Sequence, residues 1–484
     1  MHKHLHFSLP TMFIALLLAG CAVGPDYQRA KVHVPQHFKE ATLSPEAAKK
    51  WRAAQPGDAL SRGRWWRIFN DTTLDGLQEE AALANQDLKA AAARVRQARA
   101  LRHTAQADRF PTLDGGLGPS RQRRSGAAQG LADDAPASTE TLWRAQLGAS
   151  YEADLFGRIA FEVSAATADT QQSEALFESL KLALHADVAQ TYFTIRRLDA
   201  ESALYQRTVA LRSETLALVE QRHQAGAIGE LDVARSRTAL ASAKSEALAI
   251  QRERAIAEHS LATLLGKTPA DFSLGANPLD RYPVDIPAGL PSSLLERRPD
   301  IAAAERAMAA ANARIGAAQA AYFPRLTLTG ALGYESSELG NLLQWSSRTF
   351  LLGPLVGTVL SLPIFDGGRR EAGVERARAR YEEDVAAYRQ TVLQAFKEVE
   401  DGLSSLRILA EQTQMQDLAV EQASRAAKLS QIQYKEGSIS YLDVLDADRE
   451  VLVQKRLSVE LDGVRAMAAV ALVRAIGGGW DSDI

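Results

Sequence analysis

The sequence predicts a mixed α+β membrane protein. It reads as an internally duplicated chain that gives four strands to a shared transmembrane β-barrel and continues into very long α-helices. Three observations carry this. Two halves of the 484 residues align at a nearly constant offset, long stretches lack both Gly and Pro, and a few segments alternate strictly between apolar and polar residues. No apolar run is long enough for a transmembrane helix, so a membrane crossing must use strands.

The duplication rests on four motifs. Phe110-Pro111 matches Phe323-Pro324, and "NQDLKAAAARVRQARA" matches "RPDIAAAERAMAAANA", both at an offset of 213. Gly157-Arg158 matches Gly368-Arg369, and "GAIGELDV" matches "GSISYLDV", both at 211. The change of offset places the length variation in an intervening, exposed loop. The predicted organisation is a signal peptide over 1–20, an N-terminal anchor and equatorial segment over 21–72, and repeat one over 73–268. An equatorial connector over 269–292, repeat two over 293–476 and a tail over 477–484 follow.

The chain opens with "FIALLLAGCAVGPDYQRA", which holds its only cysteine. The run Met12–Leu18 is too short to span a bilayer and reads as the core of a secretory signal. Small residues before Cys21 fit a bacterial lipoprotein signal, cleaved ahead of Cys21. The expected covalent lipid is diacylglycerol plus an N-acyl chain such as palmitate, which together hold a chain firmly on a membrane. Ala22, where an aspartate would favour inner-membrane retention, points to the outer membrane.

Each repeat then begins with a helical segment, about Thr73–Asp108 and about Ser293–Ala321. Phe-Pro ends it and strands follow. "TLWRAQLGASYEADLFG" puts Trp143, Ala145, Leu147, Ala149, Tyr151, Ala153 and Leu155 on one face. Arg144, Gln146, Gly148, Ser150, Glu152 and Asp154 fall on the other. "LTLTGALGYE" repeats the pattern, "GPLVGTVLSLPIF" is a less regular fourth strand, and Thr112–Ser120 is a weak first one. Stretches 121–141 and 336–350 read as exterior loops, where the basic cluster Arg121, Arg123 and Arg124 has two readings, contact with lipid phosphates and, the favoured one, a solvated loop. A soluble sandwich with one wet face is the bland alternative. Four strands cannot close a barrel, and an open edge in lipid leaves backbone groups unpaired. Two chains would give eight strands with a filled interior; three would give twelve, enough for a lumen.

Long helical segments follow in each half. Ile159–Ala225 contains neither Gly nor Pro, and Phe177, Leu180, Leu184, Val188, Ile195 and Leu198 form a stripe of coiled-coil type. A helix of that length must pack along its whole run to be stable.

Enzyme motifs are missing. Gly266-Lys267-Thr268 ends a helix, and Leu261 stands where a phosphate loop needs its first glycine. There is no Gly-x-Ser-x-Gly elbow, the nine histidines are scattered with three in the signal, and a net charge of −3 with both signs mixed excludes a nucleic-acid footprint. The expectation is no enzyme activity, no metal and no dissociable cofactor.

The segments "CAVGPDY", "WWRIFNDTTLDGL", "LFGR", "FPRLTLTG", "ERRPDIAAAE", "PIFDGGRR", "GSISYLDVLDADRE" and "IGGGW" resemble the TolC-like outer-membrane efflux ducts, specifically the OprM/NodT-type lipoproteins. The resemblance implies a homotrimer with a twelve-stranded barrel in the outer membrane of a Gram-negative bacterium, continued by a periplasmic α-helical barrel. It also implies the exit duct of a tripartite, multidrug-type efflux system, with a periplasmic membrane-fusion adaptor and an inner-membrane pump of RND type as partners. Its acidic turn motif implies a periplasmic gate at Asp443 and Asp446, which in a trimer form carboxylate rings. The alternative for each acid is a helix-dipole role. The offset of 211 sets Arg235 against Asp446 and Arg237 against Asp448, which with Asp232 makes a possible latch between the turns. Some relatives carry an arginine six residues after the motif's tyrosine, Tyr434; Ile439 and Ser440 stand there here. Two alternative functions are a duct for protein or peptide secretion and a structural periplasmic coiled-coil lipoprotein. The strand alternation speaks against the second.

Overall fold

The two halves build the same series of elements, with helices of equal length. Repeat one contains α1 (Thr72–Ala84), α2 (Gln86–Ala107), β1 (Thr112–Arg123), β2 (Thr139–Ala153), α3 (Arg158–Gln224) and α4 (Glu230–Leu264). Repeat two contains α5 (Pro299–Ala320), β3 (Arg325–Ser336), β4 (Arg348–Leu352), β5 (Leu360–Ser361), α6 (Arg369–Lys435) and α7 (Tyr441–Ala475). The matched helices α2 and α5 have 22 residues each, α3 and α6 have 67, and α4 and α7 have 35. The computed structural model describes residues 23–40, 63–123, 130, 139–279, 297–352 and 360–478. Cys21 and the signal peptide, Arg124, most of the connector, residues 353–359 and the last six residues lie outside that set.

The same backbone solutions recur at the joints. Gly157 and Gly368 have φ of 79° and 86°, and Gly226 and Gly437 have 73° and 76°. Both pairs stand 211 residues apart. The left-handed conformation turns the chain abruptly from strand to helix and from helix to helix, and glycine adopts it without a Cβ clash. At the first joint Asp154 caps α3, accepting from the backbone N–H groups of Ile159 (3.1 Å) and Ala160 (2.8 Å). Glu152 takes the Arg158 guanidinium in a two-bond fork.

Three predicted boundaries are corrected. The helix expected over 73–108 breaks at Asn85, whose extended backbone ends α1. Its side chain accepts from Leu88 N–H and donates to Leu264 O, so it caps the next helix instead of continuing the first. β1 runs to Arg123, because every residue from Thr112 onward pairs with β2. Arg121 and Arg123 are therefore strand residues, not loop residues. The fourth strand begins at Arg348, inside the expected loop, and pairs with β3 in two pieces, β4 and β5. The register shifts by four residues between the two pieces: Gly330 faces Leu352, and Leu326 faces Leu360.

The chain divides into two compact units. The first comprises Met1–Lys31, Arg94–Ser173 and Ala304–Tyr388 and contains the whole sheet. The strands are antiparallel in the order β1-β2-β3-β4, with β5 also on β3. An N-terminal segment is fixed here on α5: Asn312 Nδ2 donates to Pro25 O (3.0 Å), and Tyr27 hydroxyl donates to Glu305. A Cβ at Gly316 would stand 2.7 Å from the Phe161 ring, so helix approach depends on that glycine.

The second unit comprises Val32–Ala93, Glu174–Ala303 and Arg389–Ile484. Trp65, Trp66, Phe69 and Leu74 pack there with Leu184, Val188, Tyr192, Phe193, Ile195, Leu261, Val470 and Val473. Leu184, Val188 and Ile195 of the predicted stripe thus lie in this core, and Leu198 is buried in a neighbouring cluster. His185 is enclosed by Trp66 and bonded through Nδ1 to Gln78 Oε1 (2.7 Å). Burial, aided by Lys181, pushes its imidazole down to about 4 from 6.5. The unfolded chain therefore binds a proton that the fold refuses. Stability is full above pH 6.5 and is lost as pH falls toward 4. Between pH 7 and pH 5 the loss is about 2 kcal/mol. Denaturant midpoints at the two pH values should show it, and His185→Gln should flatten the difference.

Candidate functional site: the sheet faces and the helix turns

The register decides which side chains share a face. Trp143, Ala145, Leu147, Ala149, Tyr151 and Ala153 of β2 stand opposite Ser336, Tyr334, Leu332, Gly330, Leu328 and Leu326 of β3. On β1 their partners include Pro119, Leu117, Gly115 and Leu113, and Phe350 of β4 lies opposite Leu332. This face is apolar from edge to edge, yet Leu113 is 78% exposed, Leu117 77% and Phe350 75%. A sheet that leaves such a face open suits lipid, not water. The other face pairs Arg144 with Glu335, joined at 2.6 Å, then Gln146 with Gly333, Ser150 with Thr329 and Glu152 with Thr327. The alternation read from 143 to 153 is therefore the two-faced pattern of the strand. Asp154 and Leu155 lie beyond its end, with Asp154 engaged as the α3 cap. Among the described residues no helix is long and apolar enough to cross a membrane.

Thiol labelling tests the register. In a Cys21→Ser background, Gln146→Cys should react with a membrane-impermeant reagent, and Leu147→Cys and Leu332→Cys should stay unlabelled. The opposite pattern would shift the strand by one residue, since a single-residue slip exchanges the faces.

The second feature is the pair of helix turns, α3 to α4 and α6 to α7. The two turns meet through side chains. Arg222 Nη1 donates to the Tyr434 hydroxyl (3.0 Å), and its guanidinium lies over the Tyr434 ring. Tyr434 abuts Tyr441, which is buried with Val219 and Val233 and donates to Ser236 Oγ at 3.4 Å. Burial raises the Tyr441 hydroxyl above its ordinary range.

The charged residues singled out from the sequence are partnered within each hairpin. Arg235 pairs with Asp232 on its own helix (3.7 Å), and Arg237 forks onto Glu220 of α3 at 3.1 and 2.8 Å. Asp448 accepts from Gln431 of α6 at 3.2 Å. Glu220–Arg237 and Gln431–Asp448 are the same cross-hairpin contact, once in each repeat. Burial pushes the Asp448 carboxyl up, against the opposing pull of Gln431 and Arg212. Among the described residues of one chain no ion pair joins Arg235 to Asp446 or Arg237 to Asp448; Arg237 and Asp448 each take a partner one helix away. Asp443 closes a capping box with Ser440, accepting from its N–H (2.9 Å) and its hydroxyl (2.8 Å). Asp446 is exposed and makes no hydrogen bond or ion pair among the described residues. Arg222 and Tyr441 were missed as contacts between the turns. The comparison of repeats that singled out Arg235 also sets Arg222 against Gln433, and that asymmetry was the available signal. Among the described residues no three His, Cys, Asp or Glu are grouped to hold a metal ion.

Comparison with known proteins fits both features. The profile of the family described as "Outer membrane efflux protein" matches twice, over residues 77–267 and 290–478. The solvent efflux pump outer membrane protein SrpC of Pseudomonas putida is 36% identical over 477 residues, 98% of each chain. The cation efflux system protein CusC of Escherichia coli O6:H1 is 33% identical over 470 residues, 96% of this chain and 97% of that one. The open-state structure of the Neisseria gonorrhoeae MtrE outer membrane channel superposes with a TM-score of 0.81 at 31% identity, over 95% of this chain and 98% of that one. A twofold profile match, likeness over nearly the whole length and a sheet with one apolar face agree: the chain belongs to the outer membrane efflux protein family, and it is an outer-membrane channel with a large periplasmic helical part, the exit duct of a tripartite efflux system.

Proposed function

We propose that three copies of this chain close a twelve-stranded barrel and passively conduct small molecules outward, doing no chemistry themselves. The observation that carries this is the two-faced sheet with free edges at β1 and at the fourth strand. In hydrocarbon each unpaired backbone group costs several kcal/mol, so the edges must pair with other copies. Twelve strands leave a lumen, lined by the Arg144 and Glu152 face, whereas eight would be filled by side chains. An inner-membrane pump of RND type and a periplasmic adaptor supply the cargo and the energy. Relatives are named for solvents, toluene and cations. A wide polar lumen accepts such unlike cargo, so selection rests with the pump, and solvents or drugs are the cargo proposed here.

Asp446 is the residue best placed for an acidic ring at the entrance, since nothing among the described residues engages it. Asp443 joins it with one carboxylate oxygen already committed to the cap. Asp232 acts on its own helix.

The lipid on Cys21 is part of the proposal. Cys21→Ser should abolish the acyl mass increment while trimers still reach the outer membrane, because barrel closure makes insertion favourable. The functional test is conductance: the purified protein should form cation-preferring channels in planar bilayers. Absence of any conductance from trimers, whether wild type or opened at the turns, would overturn the duct.

A further inference from the structure

The apolar face of the sheet ends in cations. On β1 that face runs Leu113, Gly115, Leu117, Pro119, Arg121 and Arg123, and the last three stand opposite Trp143, Thr141 and Thr139. Both arginines are exposed and make no hydrogen bond or ion pair among the described residues. The acid nearest in register, Glu140, lies on the opposite face and accepts from Gln122 at 3.3 Å. Arg348 opens β4 on the same face, opposite Tyr334. Its guanidinium lies over the exposed Trp345 ring, and its Nε donates to Trp345 O at 2.8 Å.

Height along the strand decides what these cations meet. Eight residues from Leu113 to Arg121 span about 27 Å of strand. Tilted by about 40°, that run rises about 21 Å, and the run of about 34 Å to Arg123 rises about 26 Å, against an apolar band about 25 Å tall. Arg121 and Arg123 thus bracket the edge of the hydrocarbon, beyond the Trp143 and Tyr334 level, at the strand ends away from the helices. They face lipid and not the lumen, so lumenal carboxylates do not serve them. A guanidinium fork matches the oxygens of a phosphate.

We propose that Arg121 and Arg123, with Arg348 as a second contact, bind the phosphate groups of phosphorylated lipids in the outer leaflet. The proposal rests on the lipid-facing reading of the Leu113–Leu332 face, and the test separates the two. Native mass spectrometry of full-length trimers is run with bisphosphorylated lipid A and with the same lipid dephosphorylated. Wild type should retain the phosphorylated form preferentially. Arg121→Gln/Arg123→Gln should lower that retention about tenfold, and Arg121→Lys/Arg123→Lys should keep most of it. Arg325→Gln, on the polar face, should leave it unchanged. Equal retention of both lipids by wild type, or full retention by the Gln pair, overturns the phosphate site. So does displacement by excess inorganic phosphate, which marks a site for a free anion. Retention of neither lipid refutes the lipid-facing reading itself.

Discussion

Replacing Asp199 by alanine is expected to destabilise the protein by about 3–5 kcal/mol, the usual consequence of removing one partner from a buried ionic network. The Asp199 side chain is 1% exposed and accepts from Arg196 Nη1 (3.0 Å), Arg254 Nε (2.6 Å) and the backbone N–H of Asn277 (2.9 Å). The same arginines hold the segment that follows α4: Arg254 Nη2 donates to Leu274 O and Arg196 Nη1 to Gly275 O, both at 2.7 Å. Glu258 completes the clamp by accepting from Leu274 N–H at 2.6 Å. Without Asp199 the Arg196 and Arg254 guanidiniums lose the carboxylate they share, leaving Glu258 on Arg254 alone, and the segment loses its bond at Asn277. The readouts are the denaturation midpoint of the purified protein and protease cleavage within 272–279. Asp199→Asn keeps an acceptor and should cost less, about 1.5–3 kcal/mol. A midpoint unchanged by the alanine variant would mean that the segment is held by apolar contacts of Phe272, Leu274 and Leu279 alone.

How far the sequence disclosed this fold depends on what each residue does locally. The long helices were legible because 67-residue stretches exclude proline, and the duplication because left-handed glycines must sit at fixed joints. β2 was legible because its two faces meet different solvents. β1 was weaker, since Gly115, Gly116, Gly118 and Pro119 supply backbone pairing without an apolar signal. The break at Asn85 was available but overlooked. Aligning the halves at 213 sets Gln86 against Pro299, and proline at a first helical position marks a start. The fourth strand was legible only from Gly353 onward, so its start at Arg348 fell in a stretch expected to be loop. At the turns the charge asymmetry was visible, but the partners were not. A contact across a hairpin is set by which residues face each other at a separation of 17, as in Glu220–Arg237, and the aligned positions of the repeats carry no such information.

At the entrance, Arg222→Ala is expected to shift the channel toward the open state. Arg222 braces the second turn through Tyr434, giving one half-buried hydrogen bond and one cation–π contact per chain. Such a bond is worth about 1 kcal/mol. Three copies acting together give about 3 kcal/mol, roughly a hundredfold in the ratio of closed to open channels. Single-channel recording in planar bilayers reads that ratio directly. Tyr434→Phe keeps the ring under the guanidinium and removes only the hydroxyl, so its effect should be smaller and of the same sign. Arg235→Asp should matter little, because it removes one surface pair with Asp232 worth ~0.2–1 kcal/mol. Asp446→Arg separates the two candidate devices. It disturbs no contact within the chain, so any opening it causes must come from the carboxylates of neighbouring copies. An Arg222→Ala channel that stays closed beside an Asp446→Arg channel that opens would assign closure to the acidic ring and reduce the Tyr434 brace to a structural contact.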